Sequence, residues 1–144
     1  MYIINNFFND TGIIKTEAEL VNLLDPMPFT YDYDYYLFNF ADESRPFPQI
    51  SVYARGRMCV IQYLAMENNS MTVHVAYNPD IDETSETVWF FTNPQGNEVR
   101  FPVNWIKSFA ELKECIMTFF KVKDRPPQCL EWKFVGQTEG GNSA

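Results

Sequence analysis

The stretch Ser108–Trp132, SFAELKECIMTFFKVKDRPPQCLEW, constrains the fold more than any other part of the chain. Ser108 and Glu111 have the spacing of a capping box, in which a hydroxyl and a carboxylate three residues apart satisfy the free N–H groups that open a helix. Phe109, Leu112, Ile116, Phe119 and Phe120 then recur at helical intervals and form one apolar stripe. Pro126 and Pro127 forbid continuation, and Arg125, standing before a proline, is pushed to extended geometry. Beyond the turn, Leu130, Trp132 and Phe134 alternate within Cys129–Val135, which predicts a strand with those three side chains on one face. One line of sequence therefore encodes a helix, a proline turn and a strand that must pack on one another.

The residues upstream extend this pattern. Tyr2–Phe8 is apolar enough for a first strand, broken by Asn9-Asp10 and Gly12. Thr16 with Glu19 predicts a second helix start, Leu20, Val21, Leu23 and Leu24 give that helix its apolar side, and Pro26 and Pro28 end it. Extended pieces follow at Tyr33–Ala41, Ile50–Arg55, Met58–Met66, Met71–Tyr77, Thr87–Thr92 and Glu98–Val103. In Ile50–Arg55 the alternation is clean, with Ile50, Val52 and Ala54 on one face. Gly56 and Glu67-Asn68-Asn69-Ser70 stand where tight hairpins turn. Short turns require antiparallel neighbours. The expected fold class is α+β: an antiparallel sheet of about six or seven strands, two helices on one face, order β-α-β-β-β-β-β-α-β. The opposite face is expected to be solvated or occupied by a partner. Residues 1–135 read as a single domain, and the small, polar stretch 136–144 reads as a flexible tail.

Composition narrows the function classes. The 144 residues carry a formal net charge of −8, unevenly distributed. Residues 1–44 hold eight acids and one base; residues 78–98 hold Asp80, Asp82, Glu83, Glu86 and Glu98 with no base; residues 99–135 are net +3. Phosphate binding needs clustered Lys and Arg, so nucleic acid is disfavoured as a direct partner. An acidic surface reads either as one that steers a basic partner or as one that serves solubility alone. Aromatic residues reach 17%, more than one small core needs, and exposed Tyr and Trp are enriched where proteins meet proteins. Cys59, Cys115 and Cys129, an odd and widely spaced set, read as free thiols in a reducing cytoplasm. No secretory leader is expected at the N-terminus, and no run approaches the length of a membrane span.

Catalytic and metal signatures are sparse. His74, the only histidine, alternates with Val73 and Val75 and reads as a structural strand residue. A single histidine excludes two-His metal sites and most His-based triads. No Gly-rich phosphate loop exists, nor the His-x-Glu and Pro-Cys-x-x-Cys pair of zinc deaminases. Asp80-x-Asp82-Glu83 lacks the glycine and terminal glutamate of a calcium loop. The expectation is therefore no enzyme activity, no catalytic residue, no metal and no cofactor. Tyr31-Asp32-Tyr33-Asp34-Tyr35 reads either as an edge strand guarded by acids or as an acidic, aromatic contact surface.

At Phe119-Phe120, Arg125-Pro126 and Trp132, and at Phe47-Pro48-Gln49-Ile50, the chain resembles the deaminase-associated immunity protein family of bacterial polymorphic toxin systems. The resemblance spans roughly residues 1–135. It implies a cytoplasmic inhibitor, monomeric when free, that forms a heterodimer with one cognate toxin, typically a nucleobase deaminase acting on nucleic acid. A groove that binds nucleic acid is basic. Charge and exposure then single out Tyr31, Asp32, Tyr33, Asp34 and Tyr35, and Asp80, Asp82, Glu83 and Glu86, as the partner-binding residues. The competing expectation is a small-molecule-binding or catalytic α+β cone of the nuclear-transport-factor type. That class would want longer N-terminal helices and a polar pocket lined by His74 and carboxylates.

Overall fold

The computed structural model describes residues 2–5, 10–25, 36–92 and 97–139. Within them the chain runs β1 (Tyr2–Asn5), β2 (Asp10–Ile13), α1 (Glu17–Leu24), β3 (Tyr36–Asp42), β4 (Arg45–Arg55), β5 (Met58–Glu67), β6 (Ser70–Tyr77), β7 (Thr87–Phe91), β8 (Glu98–Pro102), a 3-10 turn (Val103–Trp105), β9 (Lys107–Ser108), α2 (Phe109–Lys121) and β10 (Glu131–Glu139). The main sheet has eight strands in the order β10-β6-β5-β4-β3-β1-β2, with β9 on β5, and its pairings are antiparallel. The fold is α+β, as the pattern predicts.

Register shows how the sheet sorts its side chains. Ile50 pairs with Tyr63, Val52 with Ile61 and Ala54 with Cys59, so the apolar alternation of β4 meets that of β5 on one face. Phe38 and Phe40 of β3 join them, and Leu20 and Leu24 of α1 with Phe109, Leu112, Cys115, Ile116 and Phe119 of α2 close the core above. Both helix starts are capped as their spacing demands. The Thr16 hydroxyl accepts from the Glu19 N–H at 3.1 Å. The Ser108 hydroxyl accepts from the Glu111 N–H at 3.1 Å, while the Glu111 carboxylate accepts from the Ser108 N–H at 3.0 Å. The hairpin turns also follow the sequence: Gly56 has φ +60, and Asn68 and Asn69 have φ 50 and 65, the left-handed geometry that lets a two-residue turn match strand twist.

The proline turn after α2 is tied down from three sides. The Tyr63 hydroxyl donates to the Lys123 carbonyl at 3.1 Å, the Lys123 ammonium donates to the Phe120 carbonyl at 2.9 Å, and the Trp132 indole donates to the Pro127 carbonyl at 2.7 Å. Burial pushes the Tyr63 phenol up to about 12, with Asp124 adding to the rise and Arg45 opposing it. A raised folded-state value means the neutral phenol stabilises the fold fully below pH ~10 and loses that contribution as pH climbs through about 12. Burial raises the Tyr53 phenol as well, so phenolate absorbance should show a late-ionising component near pH 11–12, and Tyr63→Phe should reduce it without abolishing it.

Four expectations are corrected. The opposite face of the sheet is not left wholly to solvent or a partner. β7 and β8 leave the main sheet as a separate two-stranded ribbon, whose Phe90 and Phe101 are buried against Val60 and Val75, with Tyr53, Met58, Val88, Val99, Trp105 and Ile106 around them. The segment between Tyr77 and Thr87 is long enough to carry the ribbon out of the sheet. Second, Asp10 and Gly12 belong to β2, pairing with Asn5 and Ile3, where the sequence suggested only a break. Third, Lys107–Ser108 forms β9 on Met58–Cys59, occupying the edge of β5 that β6 leaves open; two residues are too few for periodicity to reveal. Fourth, the flexible tail expected from Gly136 does not begin there. Gly136, Gln137, Thr138 and Glu139 pair with Val73, Thr72, Met71 and Ser70, after a bulge between Phe134 and Gly136. The ladder to β6 overrides the weak strand preference of Gly and polar residues.

Candidate partner-binding surface

The acidic segment 78–86 connects β6 to the β7–β8 ribbon and is anchored at both ends. Asn78 is the hub of its first anchor. Its N–H donates to the Asn104 carbonyl at 2.8 Å, its side-chain amide donates to the Ile106 carbonyl at 2.9 Å, and its side-chain oxygen accepts from the Lys107 ammonium at 2.7 Å. Lys107 is only 6% exposed, and its second partner is the Glu111 carboxylate at 3.2 Å. Burial raises the Glu111 carboxyl, but the Ser108 N–H, Lys107 and the Ser108 hydroxyl outweigh it and hold the carboxyl below its ordinary value. At the far end, the Glu86 carbonyl accepts from the Val103 N–H at 3.2 Å. Between the anchors, the Ile81 N–H donates to the Asn78 carbonyl at 3.1 Å, and Glu83 pairs with Lys133 of β10.

These ties leave Asp80, Asp82, Glu83 and Glu86 exposed on a segment whose backbone is held to the sheet and ribbon. The predicted carboxylates thus lie on one loop beside β10, and the arrangement can steer and contact a basic partner. Tyr31, Asp32, Tyr33, Asp34 and Tyr35 lie outside the described residues. Sequence reasoning missed the anchor residues Asn78, Val103 and Lys107. The lone Lys107 in an otherwise apolar run is their only signal. Asn78→Ala should cost about 1–3 kcal/mol, because it leaves the Lys107 ammonium and the Ile106 carbonyl without that partner. Urea unfolding of the variant beside the parent checks this.

Two further concavities stand apart from the loop. One, about 330 Å³, is lined by Arg55, Gly56, Arg57, Met58 and Trp89, with the Arg55 guanidinium 3.9 Å above the Trp89 ring. The other, about 360 Å³, is lined by Asp42, Arg45, Lys121, Val122, Lys123 and Asp124. There the Ser44 N–H and hydroxyl hold the Asp42 carboxyl below its usual value.

The other candidate residues have structural surroundings. His74 pairs across the sheet with Tyr63 and Phe134, its ring edge-on to Phe134 at 5.5 Å, and its buried Nδ1 has no hydrogen-bond partner among the described residues. Cys59 is buried, its thiol donating to the Lys107 carbonyl at 3.4 Å, and burial pushes it far up; burial raises Cys115 and Cys129 as well. Neutral thiols of this kind are poor nucleophiles. Among the described residues no group of three or more His, Cys, Asp or Glu could hold a metal, and no helix is long and apolar enough to cross a membrane. Compared with known proteins, the chain matches no family model and no curated protein.

Proposed function

We propose that this chain is an immunity protein that binds and neutralises a cognate bacterial toxin in the cytoplasm, the toxin being a nucleobase deaminase whose nucleic-acid groove the inhibitor blocks. The observation that carries this reading is the acidic loop 78–86. It presents exposed carboxylates on a backbone anchored at Asn78 and at Glu86. A preformed acidic surface loses little freedom on docking and matches a basic groove in charge. The residues behind the family resemblance support it from beneath. Phe119 is buried in the core, and Trp132 packs against Tyr63 with ring centroids 6.2 Å apart, so these positions act as scaffold and leave recognition to the surface.

Co-expression tests the reading directly. Cells carrying the toxin-like reading frame next to this gene should survive when the chain is supplied, and the two proteins should co-purify. Continued killing with no co-purification would end the proposal.

A further inference from the structure

We propose that β10 accepts an extended, lysine- or arginine-rich strand of a partner protein, adding it to the sheet edge beside the acidic loop. The inference deepens the inhibitor reading by naming how the partner is held, and it rests on that reading only for which protein supplies the strand.

β10 is the terminal strand of the eight-stranded sheet, and among the described strands it pairs with β6 alone. Its nine residues present an edge roughly 30 Å long. Natural sheets guard such edges with lysine, proline, bulges or a covering element, because unpaired N–H and C=O groups recruit another strand. Here the lysine guard is compromised: Lys133 is paired to Glu83 of the acidic loop. Two large apolar side chains of the strand are exposed, Phe134 at 56% and Val135 at 37%. The bulge at Val135 interrupts the ladder once, leaving Glu131–Phe134 and Gly136–Glu139 regular on either side. In strand addition the main-chain bonds supply affinity and alternate side chains supply specificity.

Charge decides the occupant. Glu131 pairs with Tyr77, where the chain leaves β6 toward Asp80, Asp82, Glu83 and Glu86, so one end of the edge is acidic. At the other end Glu67, which is exposed, stands opposite Ser70, the residue with which the ladder to β10 ends. A second copy pairing antiparallel through β10 would set the acidic loop of each against the Glu67 end of the other. Like charges so placed disfavour self-pairing. A basic strand meets carboxylates at both ends.

A ten-residue peptide of alternating lysine and valine is the probe, with a control of the same sequence N-methylated along one edge so that it cannot donate to a strand. Amide resonances of the full chain should shift at 131–139 and in 80–86 on titration. N-methylation, and separately Asp80→Lys with Asp82→Lys, should each weaken binding by tenfold or more. Equal binding of the N-methylated peptide, shifts confined to other parts of the chain, or no shift at millimolar peptide would each overturn strand addition. A concentration-dependent dimer in sedimentation, abolished by Val135→Lys, would overturn it in favour of self-pairing. The two readings fail separately. Toxin neutralised while β10 amides exchange as fast in the complex as in the free chain removes strand addition alone. Peptide pairing without rescue of cells removes the inhibitor alone and leaves the edge site standing.

Discussion

Phe119→Ala is expected to destabilise the fold by about 3–5 kcal/mol, the range for removing a fully buried phenylalanine from a core that cannot collapse around the gap. Phe119 has no exposed surface and meets Tyr63 edge-on, ring centroids 6.4 Å apart. It belongs to the stripe that α2 lays over Ile61 and Tyr63 of the central strand. The loss spreads beyond one cavity. Tyr63 holds the Lys123 carbonyl, so a looser Tyr63 also frees the turn after α2. A domain of this size has only about 5–15 kcal/mol in total. The midpoint of thermal unfolding should fall by roughly 10–15 °C. Phe120, next in sequence but only half-buried, should cost distinctly less when cut to alanine. Urea unfolding of both variants decides it. Equal losses would mean that the stripe does not face the sheet as described.

What was legible in the sequence was whatever repeats at a fixed period or needs a special residue. The stripe of α2, the alternation of Ile50, Val52 and Ala54, Gly56 at φ +60 and the capping boxes all express local rules, and local rules survive into the structure. The errors came where tertiary pairing decides. Nothing in Thr87–Thr92 or Glu98–Val103 says whether those strands extend the main sheet or fold over it. Val88, Phe90, Val99 and Phe101 satisfy the same alternation either way. β9 and the last four residues of β10 are strands only because β5 and β6 offer them an edge. The acidic loop was visible from charge alone. Its anchoring was not, because Asn78 contacts residues 26 to 29 positions away.

Reversing Asp80, Asp82 and Glu83 to lysine together should slow association with the cognate toxin by about 10–100-fold at low salt, since focused surface charge accelerates docking by factors of 10–10³. Each replacement adds two charges, so the net charge moves from −8 to −2. The dissociation rate should change much less, because rim charges act mainly on encounter while buried anchors hold the complex. Salt dependence of the association rate should flatten in step. The fold itself should lose no more than about 0.5 kcal/mol, because these side chains are exposed and the Glu83–Lys133 pair lies at the surface. A matched control separates the loop from bulk charge: Glu17, Glu43 and Glu114 are also exposed, and their reversal produces the same net charge elsewhere on the surface. Stopped-flow mixing of both triple variants with the toxin is the measurement. An equal slowing from both sets would assign the effect to overall charge. No slowing from the loop set would remove the loop from the encounter altogether. A large rise in dissociation rate instead would place the loop at the buried centre of the interface rather than at its rim.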